Sequence, residues 1–251
     1  MNSIRTHRSI HDFATPLGTV LAAAGTLILA MGSTMQPAKK TADTRSANEL
    51  LPLNETRKSF KILAGENEGE YRDMTLERRD GETEQWILTM DSLYRMRLHR
   101  AESGEIMCDR LDLVSEDKAT RYDPPIRLIP ASVRAAETTT SKGRAEVIDL
   151  ETGKVSRTGR YTHALRKVSH VRLDVPAAEV EGYLLEFDHE IDLDMATLTI
   201  DLELGSTVGE GEGLVYWRSK STIEKVGLFG DTTIQALGAA EFDEGGGSSD
   251  R

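Results

Sequence analysis

The sequence is poor in cysteine, aromatic residues and proline. Cys108 is the single cysteine among 251 residues, aromatic residues make up 5%, and there are seven prolines. One thiol cannot form an internal disulfide, which excludes a disulfide-stapled scaffold, and we interpret Cys108 as a small apolar residue of a strand. The apolar content of 38% is enough for a core and excludes a chain that is disordered throughout.

Acidic residues outnumber basic ones by 42 to 31, and the sequence contains no phosphate-binding loop motif. The net charge of −11 makes nucleic acid and anionic membrane surfaces poor partners for the chain as a whole. The glycine-rich stretch "TVGEGEGLVYWRSKS" (207–221) places Glu210 and Glu212 between its glycines, where they would repel a phosphate. An apolar run typical of a strand follows it. We therefore expect a flexible or bulged start of a strand here, and no cofactor.

The segment Pro16–Gly32 contains no charged residue. A basic start precedes it and small residues end it, which is the layout of a secretory signal peptide. Its apolar run is shorter than the roughly 20 residues that a spanning helix needs. We predict that residues 1–32 are a signal peptide or, if uncleaved, a membrane anchor. The protein is then exported to the periplasm or the extracellular space, or anchored, with membrane contact only through this segment.

Two further segments lack the periodicity of a packed element. Residues 33–57 are polar and contain Pro37 and Pro52, so we expect a flexible linker there. Residues 241–251 form a Gly/Ser-rich end that we expect to be a disordered tail. The remaining residues, 58–240, make one domain, which is a normal size for a single β fold.

Alternation of apolar and polar residues dominates residues 58–240. In "LYRMRLHR" Tyr94, Met96 and Leu98 fall on one face, and "LTIDLEL" repeats the pattern at 198–204. Strict alternation predicts half-buried strands, and short turns between them make neighbouring strands antiparallel. We predict an all-β fold, a single curved antiparallel sheet or half-barrel of about nine or ten strands.

Glycine pairs and prolines mark the expected breaks between strands. We predict tight turns at Asp80-Gly81, Ser103-Gly104, Lys142-Gly143 and Thr152-Gly153, because glycine supplies the positive φ that hairpins need. The segment "RYDPPIRLIPASV" (121–133) contains Pro124, Pro125 and Pro130. Prolines are excluded from central strands, so we expect a crossing loop between two halves of the sheet here.

The second half of the chain resembles a group of bacterial exported domains of unknown function. The likeness covers about residues 120–237 and lies in "DPPIRLIPASV", in "VRLDVPAAEVEGYLLEF" and in "GEGLVYWRSKSTIEKVGLFGDTTIQAL". Ala178 and Val180 stand where the group's "V-P-A-G-x-F" strand has glycine and phenylalanine. The group is more distantly similar to the lipoprotein-carrier half-barrels of the bacterial envelope. The resemblance implies a curved sheet around an apolar cavity, an envelope location and a lipid-handling role.

Lysine and arginine are absent from Leu173 to Trp217, a run of 45 residues with twelve acids. Within it Glu186, Asp188 and Glu190 alternate along one predicted strand. The preceding segment, 134–172, holds nine Lys or Arg and four acids. We interpret the acidic residues as a solvated face that pairs with this basic segment. Two alternatives stay open: a calcium or magnesium site formed by the same three carboxylates, and a glycosidase-like carboxylate pair.

The sequence lacks the common catalytic motifs. There is no G-x-S-x-G, and position 193 is leucine where a zinc-binding helix beginning at His189 would need a second histidine. We therefore expect a non-enzymatic envelope protein that binds an apolar or lipid-like ligand on the concave face of its sheet. The candidate lining residues are Trp86, Leu88, Met96, Phe187, His189 and Trp217.

Two other functions are kept as alternatives. One is a structural or interaction protein whose acidic strand face docks a basic protein partner, and the other is a hydrolase. A pocket inside the sheet would favour the ligand-binding function, whereas a filled core and an exposed charged face would favour the interaction protein.

Overall fold

The computed structural model describes residues 44–79, 84–91, 93–134, 137–207, 213–225 and 230–241. The expected signal or anchor (1–32), the first part of the expected linker (33–43) and residues 242–251 of the expected tail lie outside this part. Asp80-Gly81 and residues 208–212 of the glycine-rich stretch also lie outside it. No helix among the described residues is long and apolar enough to cross a membrane.

The described residues are built almost entirely from strands, which confirms the all-β class. There are fourteen strands, one α-helix of four residues and one 3-10 helix of three residues (Val114–Glu116). In chain order the elements are β1 (Thr44–Ser46), α1 (Ala47–Leu50), β2 (Thr56–Ala64), β3 (Tyr71–Arg79), β4 (Gln85–Met90), β5 (Tyr94–Arg100), β6 (Ile106–Leu113), β7 (Lys118–Ile129), β8 (Ser132–Arg134), β9 (Thr139–Asp149), β10 (Val155–Val175), β11 (Ala178–Leu193), β12 (Ala196–Thr207), β13 (Gly213–Lys225) and β14 (Asp231–Ala239).

Twelve of these strands form a closed antiparallel barrel. Their order around the barrel is β2-β3-β4-β5-β6-β7-β9-β10-β11-β12-β13-β14, and β14 pairs back onto β2. The prediction of a half-barrel with nine or ten strands is therefore wrong. Closure depends on the pairing of β14 with β2, which joins Leu237 to Ile62 across most of the chain. Alternation within one strand shows which residues share a face, but it does not identify the strand's partners.

The barrel buries its core in its own lumen. Alternate residues of each strand point inward, and the fully buried side chains include Phe60 of β2, Leu165 of β10 and Phe187 of β11. Because the sheet closes on itself, these side chains meet residues from the opposite wall, and no second sheet is needed to cover them.

The proline-bearing segment is a strand, so the prediction of a crossing loop there is wrong. Pro124 and Pro125 lie within β7, between Asp123, which pairs with β9, and Ile126, which pairs with β6. They fall at a shift in register, where their missing N–H groups interrupt no pair of the ladder. The carbonyl oxygen of Pro124 accepts a hydrogen bond of 2.7 Å from the hydroxyl of Tyr161.

Two of the predicted glycine turns are confirmed and one is wrong. Gly104 and Gly153 have φ of +90° and +69° in the turns after β5 and β9. Gly143 instead lies inside β9, where a Cβ would come within 2.6 Å of the Tyr161 ring. Glycine is used there for close packing of the strand against a neighbour. Gly213, at the end of the glycine-rich stretch, begins β13 with a φ of +96°.

The N-terminal described residues close one end of the barrel, which we call the closed end. Leu50, Leu51 and Leu53 are buried, and the carbonyl oxygen of Leu50 accepts a hydrogen bond from the hydroxyl of Ser206 in β12. The amide of Ala47 donates to Ala131 at 3.2 Å, and β1 pairs with β8. The prediction of a flexible linker is therefore wrong for residues 44–57, because their few leucines suffice to anchor the segment.

Candidate functional site

A cavity of about 230 Å³ lies in the lumen and reaches the opposite end of the barrel, which we call the open end. Glu116 and Asp231 are exposed at its mouth. Its wall is mostly apolar and comes from β5, β6, β7 and β10 to β14. The lining residues are Tyr94, Met96, Cys108, Leu111, Leu113, Glu116, Tyr122, Ile126, Leu128, His163, His189, Leu198, Ile200, Leu202, Trp217, Ser219, Ser221, Ile223, Asp231 and Thr233.

Two histidines form the most polar part of this wall. His163 of β10 and His189 of β11 are direct partners in the antiparallel register, so both side chains point inward at the same level. Their ring centroids lie 5.5 Å apart. Phe187, the next inward residue of β11, stacks on the His163 ring with a centroid distance of 5.4 Å. β10 and β11 each pair with a neighbouring strand on both sides, which holds the backbone at this pair in place.

A tyrosine from β7 contacts the histidine pair. The hydroxyl of Tyr122 lies 3.3 Å from Nε2 of His189, and the two rings meet edge to face. Tyr161 packs against the Tyr122 ring in the same way, and its own hydroxyl is bound to Pro124. The proline-bearing irregularity of β7 thus helps to position the tyrosine that contacts His189.

One nitrogen of each histidine is buried without a hydrogen-bond partner in the protein. These atoms are Nε2 of His163 and Nδ1 of His189, and the two side chains are among the buried polar residues at 3% and 6% exposure. Burial lowers the pKa of His163 to about 3, with a smaller contribution from His189, and burial lowers the pKa of His189 to about 4. Both imidazoles are therefore neutral near pH 7, and each can offer one donor or one acceptor.

Two stacked aromatic side chains form another part of the cavity wall. Trp217 of β13 stacks on Tyr94 of β5 with ring centroids 5.5 Å apart. The Tyr94 hydroxyl donates to Oε1 of Gln235 at 2.7 Å. The indole nitrogen of Trp217 is buried without a hydrogen-bond partner. Trp217 therefore presents both an apolar face and an N–H donor beside the cavity.

Cys108 also lines the cavity, as a buried residue of β6. Its thiol lies 3.6 Å from the carbonyl oxygen of Arg110. Burial raises the pKa of this thiol to about 12. Since the thiolate is the nucleophilic form, Cys108 at neutral pH acts as a small apolar side chain of the wall.

The six candidate lining residues are divided among three places. Met96, His189 and Trp217 line the cavity of about 230 Å³. Leu88 lines a second cavity of about 170 Å³, under residues 51–56 at the closed end. Trp86 and Phe187 are buried core residues that line neither cavity.

Sequence reasoning missed His163 and Tyr122. A signal for His163 was present, because Tyr161, His163 and Leu165 alternate in "RYTHALRK". The alternation stops at a register shift between Leu165 and Lys167, which moves the following inward position by one residue. Tyr122 was hidden by the neighbouring prolines, which made its strand look like a loop.

The acidic residues of β11 lie on the outer surface of the barrel. Nε of Arg166 is 3.1 Å from Asp188, and Nζ of Lys167 is 2.9 Å from Glu186, so both carboxylates pair with β10 as expected for a solvated face. Burial raises the pKa of Asp188. Arg166 opposes this shift, and Asp201, which pairs with Asp188 on the neighbouring strand β12, adds to it. Glu190 is exposed on the same strand.

The structure groups no metal ligands on this face. Among the residues described, no cluster of three or more His, Cys, Asp or Glu side chains is placed to hold a metal ion. The acidic side chains are spread along an extended strand, whereas a hard cation needs several oxygens around one point.

Comparison of the chain with protein-family models, with curated proteins and with solved structures finds no match.

Proposed function

We propose that the protein is an exported, non-enzymatic binding module that holds an apolar ligand in the lumen of its barrel. The observation that carries the proposal is the cavity at the open end, whose wall is mostly apolar and contains two buried histidines with unpartnered nitrogens. Small-molecule sites have this character, an apolar enclosure with a few fixed polar groups. A buried polar atom without a partner costs about 1–3 kcal/mol, which a bound polar group would recover.

The other two functions have weaker support. Docking of a basic partner would use the acidic face of β11, but Arg166 and Lys167 already contact its carboxylates. A cysteine hydrolase at the cavity would need a thiolate, and the raised pKa of Cys108 opposes its formation. Ligand binding would give partners to the two histidine nitrogens that the fold leaves unpartnered beside the cavity.

Native mass spectrometry of the protein, purified after expression of the full-length chain, tests the proposal. We expect a bound small molecule in part of the population. Ser219→Leu should reduce the bound fraction, because Ser219 is a buried residue of the cavity wall and leucine would fill part of the space. Thr199→Leu is the matched control, since Thr199 is exposed on β12 between two lining residues.

Two results would contradict this function. One is that the purified protein carries no apolar molecule and takes none up at any concentration below the solubility limit of that molecule. The other is equal loss of the bound molecule in Ser219→Leu and Thr199→Leu, which would place the ligand outside the cavity. Export is tested separately: N-terminal sequencing should show that residues 1–32 are removed, and recovery of intact Met1 from membranes would favour an anchor.

A further inference from the structure

We infer that the ligand is a compact, uncharged molecule with a hydroxyl or carbonyl group, held by His163 and His189, rather than a fatty acid or a phospholipid. The inference rests on the proposed function and specifies the ligand's size, its lack of charge and its polar group. Each of the three comes from a separate feature of the cavity.

The volume sets the size of the ligand. An apolar cavity of about 150 Å³ is enough for benzene, which has six non-hydrogen atoms. The cavity of about 230 Å³ therefore suits a body on the order of ten non-hydrogen atoms. A two-chain lipid is several times larger and could not be enclosed by this barrel.

The charges around the cavity exclude an anion. Among the described residues that line it, none is lysine or arginine, and Glu116 and Asp231 stand at the mouth. A carboxylate in the lumen would be buried without a cation and would pass two acids on its way in. The histidines supply no positive charge near pH 7, because burial keeps their pKa values low.

The unpartnered nitrogens point to the polar group. Nε2 of His163 and Nδ1 of His189 belong to neutral rings 5.5 Å apart, close enough for one small polar group to reach either ring. A neutral imidazole can be a donor at one nitrogen and an acceptor at the other, and a hydroxyl can also do both. Tyr122 contacts Nε2 of His189, so Nδ1 is the nitrogen of that ring without a partner in the protein. Trp217 lines the same cavity and reports on its occupancy.

A matched series of n-octane, 1-octanol and octanoate tests the inference at pH 7.5. The readout is the emission of Trp217 in a Trp86→Phe variant, because Trp86 lines neither cavity. We expect 1-octanol to bind about three- to tenfold more tightly than n-octane, the ratio expected for one net hydrogen bond, and octanoate to bind most weakly. His163→Phe should remove the advantage of 1-octanol and leave the affinity for n-octane.

The controls separate a hydrogen bond from a change of shape. His163→Gln keeps a polar side chain and should retain part of the preference for 1-octanol. His170→Phe should leave all three affinities unchanged, because His170 lies on the outside of β10, in contact with Tyr183. If His163→Phe fails to fold, His189→Phe and His163→Gln still test the contact.

Each other outcome has a defined meaning. If octanoate binds as tightly as 1-octanol, the claim that the ligand is uncharged is wrong. If n-octane binds as tightly as 1-octanol, the claim of a polar contact with the histidines is wrong. In both cases the proposed binding function stands. Absence of a saturable change with all three compounds would overturn the inference and the proposed function together.

Discussion

The two ends of the barrel are built in opposite ways. At the closed end a short helix and three buried leucines cover the lumen above the cavity of about 170 Å³, and hydrogen bonds to β12 and to Ala131 fix the segment. At the open end the lumen stays partly empty, and Met195, Ile223 and Ile234 are exposed apolar residues of the surrounding strands and turns. One end is covered by a packed N-terminal segment, and the other holds the larger cavity, with the two histidines in its wall.

The two ends also differ in whether their polar groups have hydrogen-bond partners. The helix at the closed end is capped by Ser46 and Glu49, whose side chains accept hydrogen bonds from the amides of Glu49 and Ser46 respectively. The histidines near the open end keep unpartnered nitrogens in an apolar wall. Unsatisfied buried groups are expected at functional sites more than in structural plugs.

The largest expected effect comes from truncating matched leucines at the two ends. Leu50→Ala removes a completely buried side chain from the closed end and should lower the free energy of unfolding by about 2–5 kcal/mol. Leu198→Ala should cost about 1 kcal/mol or less, because Leu198 is half-buried and already borders a cavity. Urea denaturation followed by circular dichroism measures both. Equal losses would show that the open end is packed as tightly as the closed end.

Acid should destabilise the barrel through the two cavity histidines. Burial lowers both pKa values below the ordinary 6.5, so the unfolded chain binds protons between about pH 6.5 and 4 more readily than the folded barrel does. The stability that comes from keeping these histidines neutral is therefore complete above about pH 6.5 and is lost as the pH falls. Between pH 7 and 5 the free energy of unfolding should drop by about 2 kcal/mol per histidine. Urea denaturation at both pH values measures it.

The double variant His163→Phe/His189→Phe should flatten this pH dependence. His99→Gln serves as the control, because His99 is paired with Asp109 at 2.7 Å outside the cavity. If the free energy of unfolding falls with pH as steeply in the double variant as in the wild type, other groups cause the acid sensitivity.

Removing the helix cap should have a moderate effect confined to the closed end. Ser46→Ala deletes the side chain that accepts from the amide of Glu49 and should cost about 1 kcal/mol in the free energy of unfolding. Thr44→Ala, on the exposed face of β1, should cost less than half of that. Binding of 1-octanol at the open end should not change in either variant. A loss of binding in Ser46→Ala would show that the two ends are coupled.

The smallest effect is expected on the outer wall between the two ends. Glu186→Gln, Asp188→Asn and Glu190→Gln together should change the free energy of unfolding by about 1 kcal/mol or less, because exposed ion pairs contribute little. Melting curves with millimolar Ca²⁺ or with EDTA should coincide for the wild type and for the variant. A calcium-dependent rise of several degrees in the wild type alone would instead identify a metal site on this face.

Much of the strand content could be predicted from the sequence, but the closure of the sheet could not. Alternation identified the inward positions of Met96 and His189 correctly, because side chains of a strand alternate between two faces whatever its partners are. The prolines of β7 concealed a strand, because they fall at an interruption of the ladder, and His163 was overlooked although it alternates with Tyr161 and Leu165. Pairing and register depend on contacts between distant strands, which no local pattern records.

The sequence by itself determined the all-β class, the inward face of β11 and the outward position of its acidic residues. Only the tertiary structure decided that the sheet closes, that residues 44–57 cover one end, and that His163, His189 and Tyr122 meet beside a cavity. The physical reason is the range of the interactions involved. Alternation and turn chemistry act between neighbours in the chain, whereas a cavity is the space left when side chains from many strands, far apart in sequence, pack around one lumen.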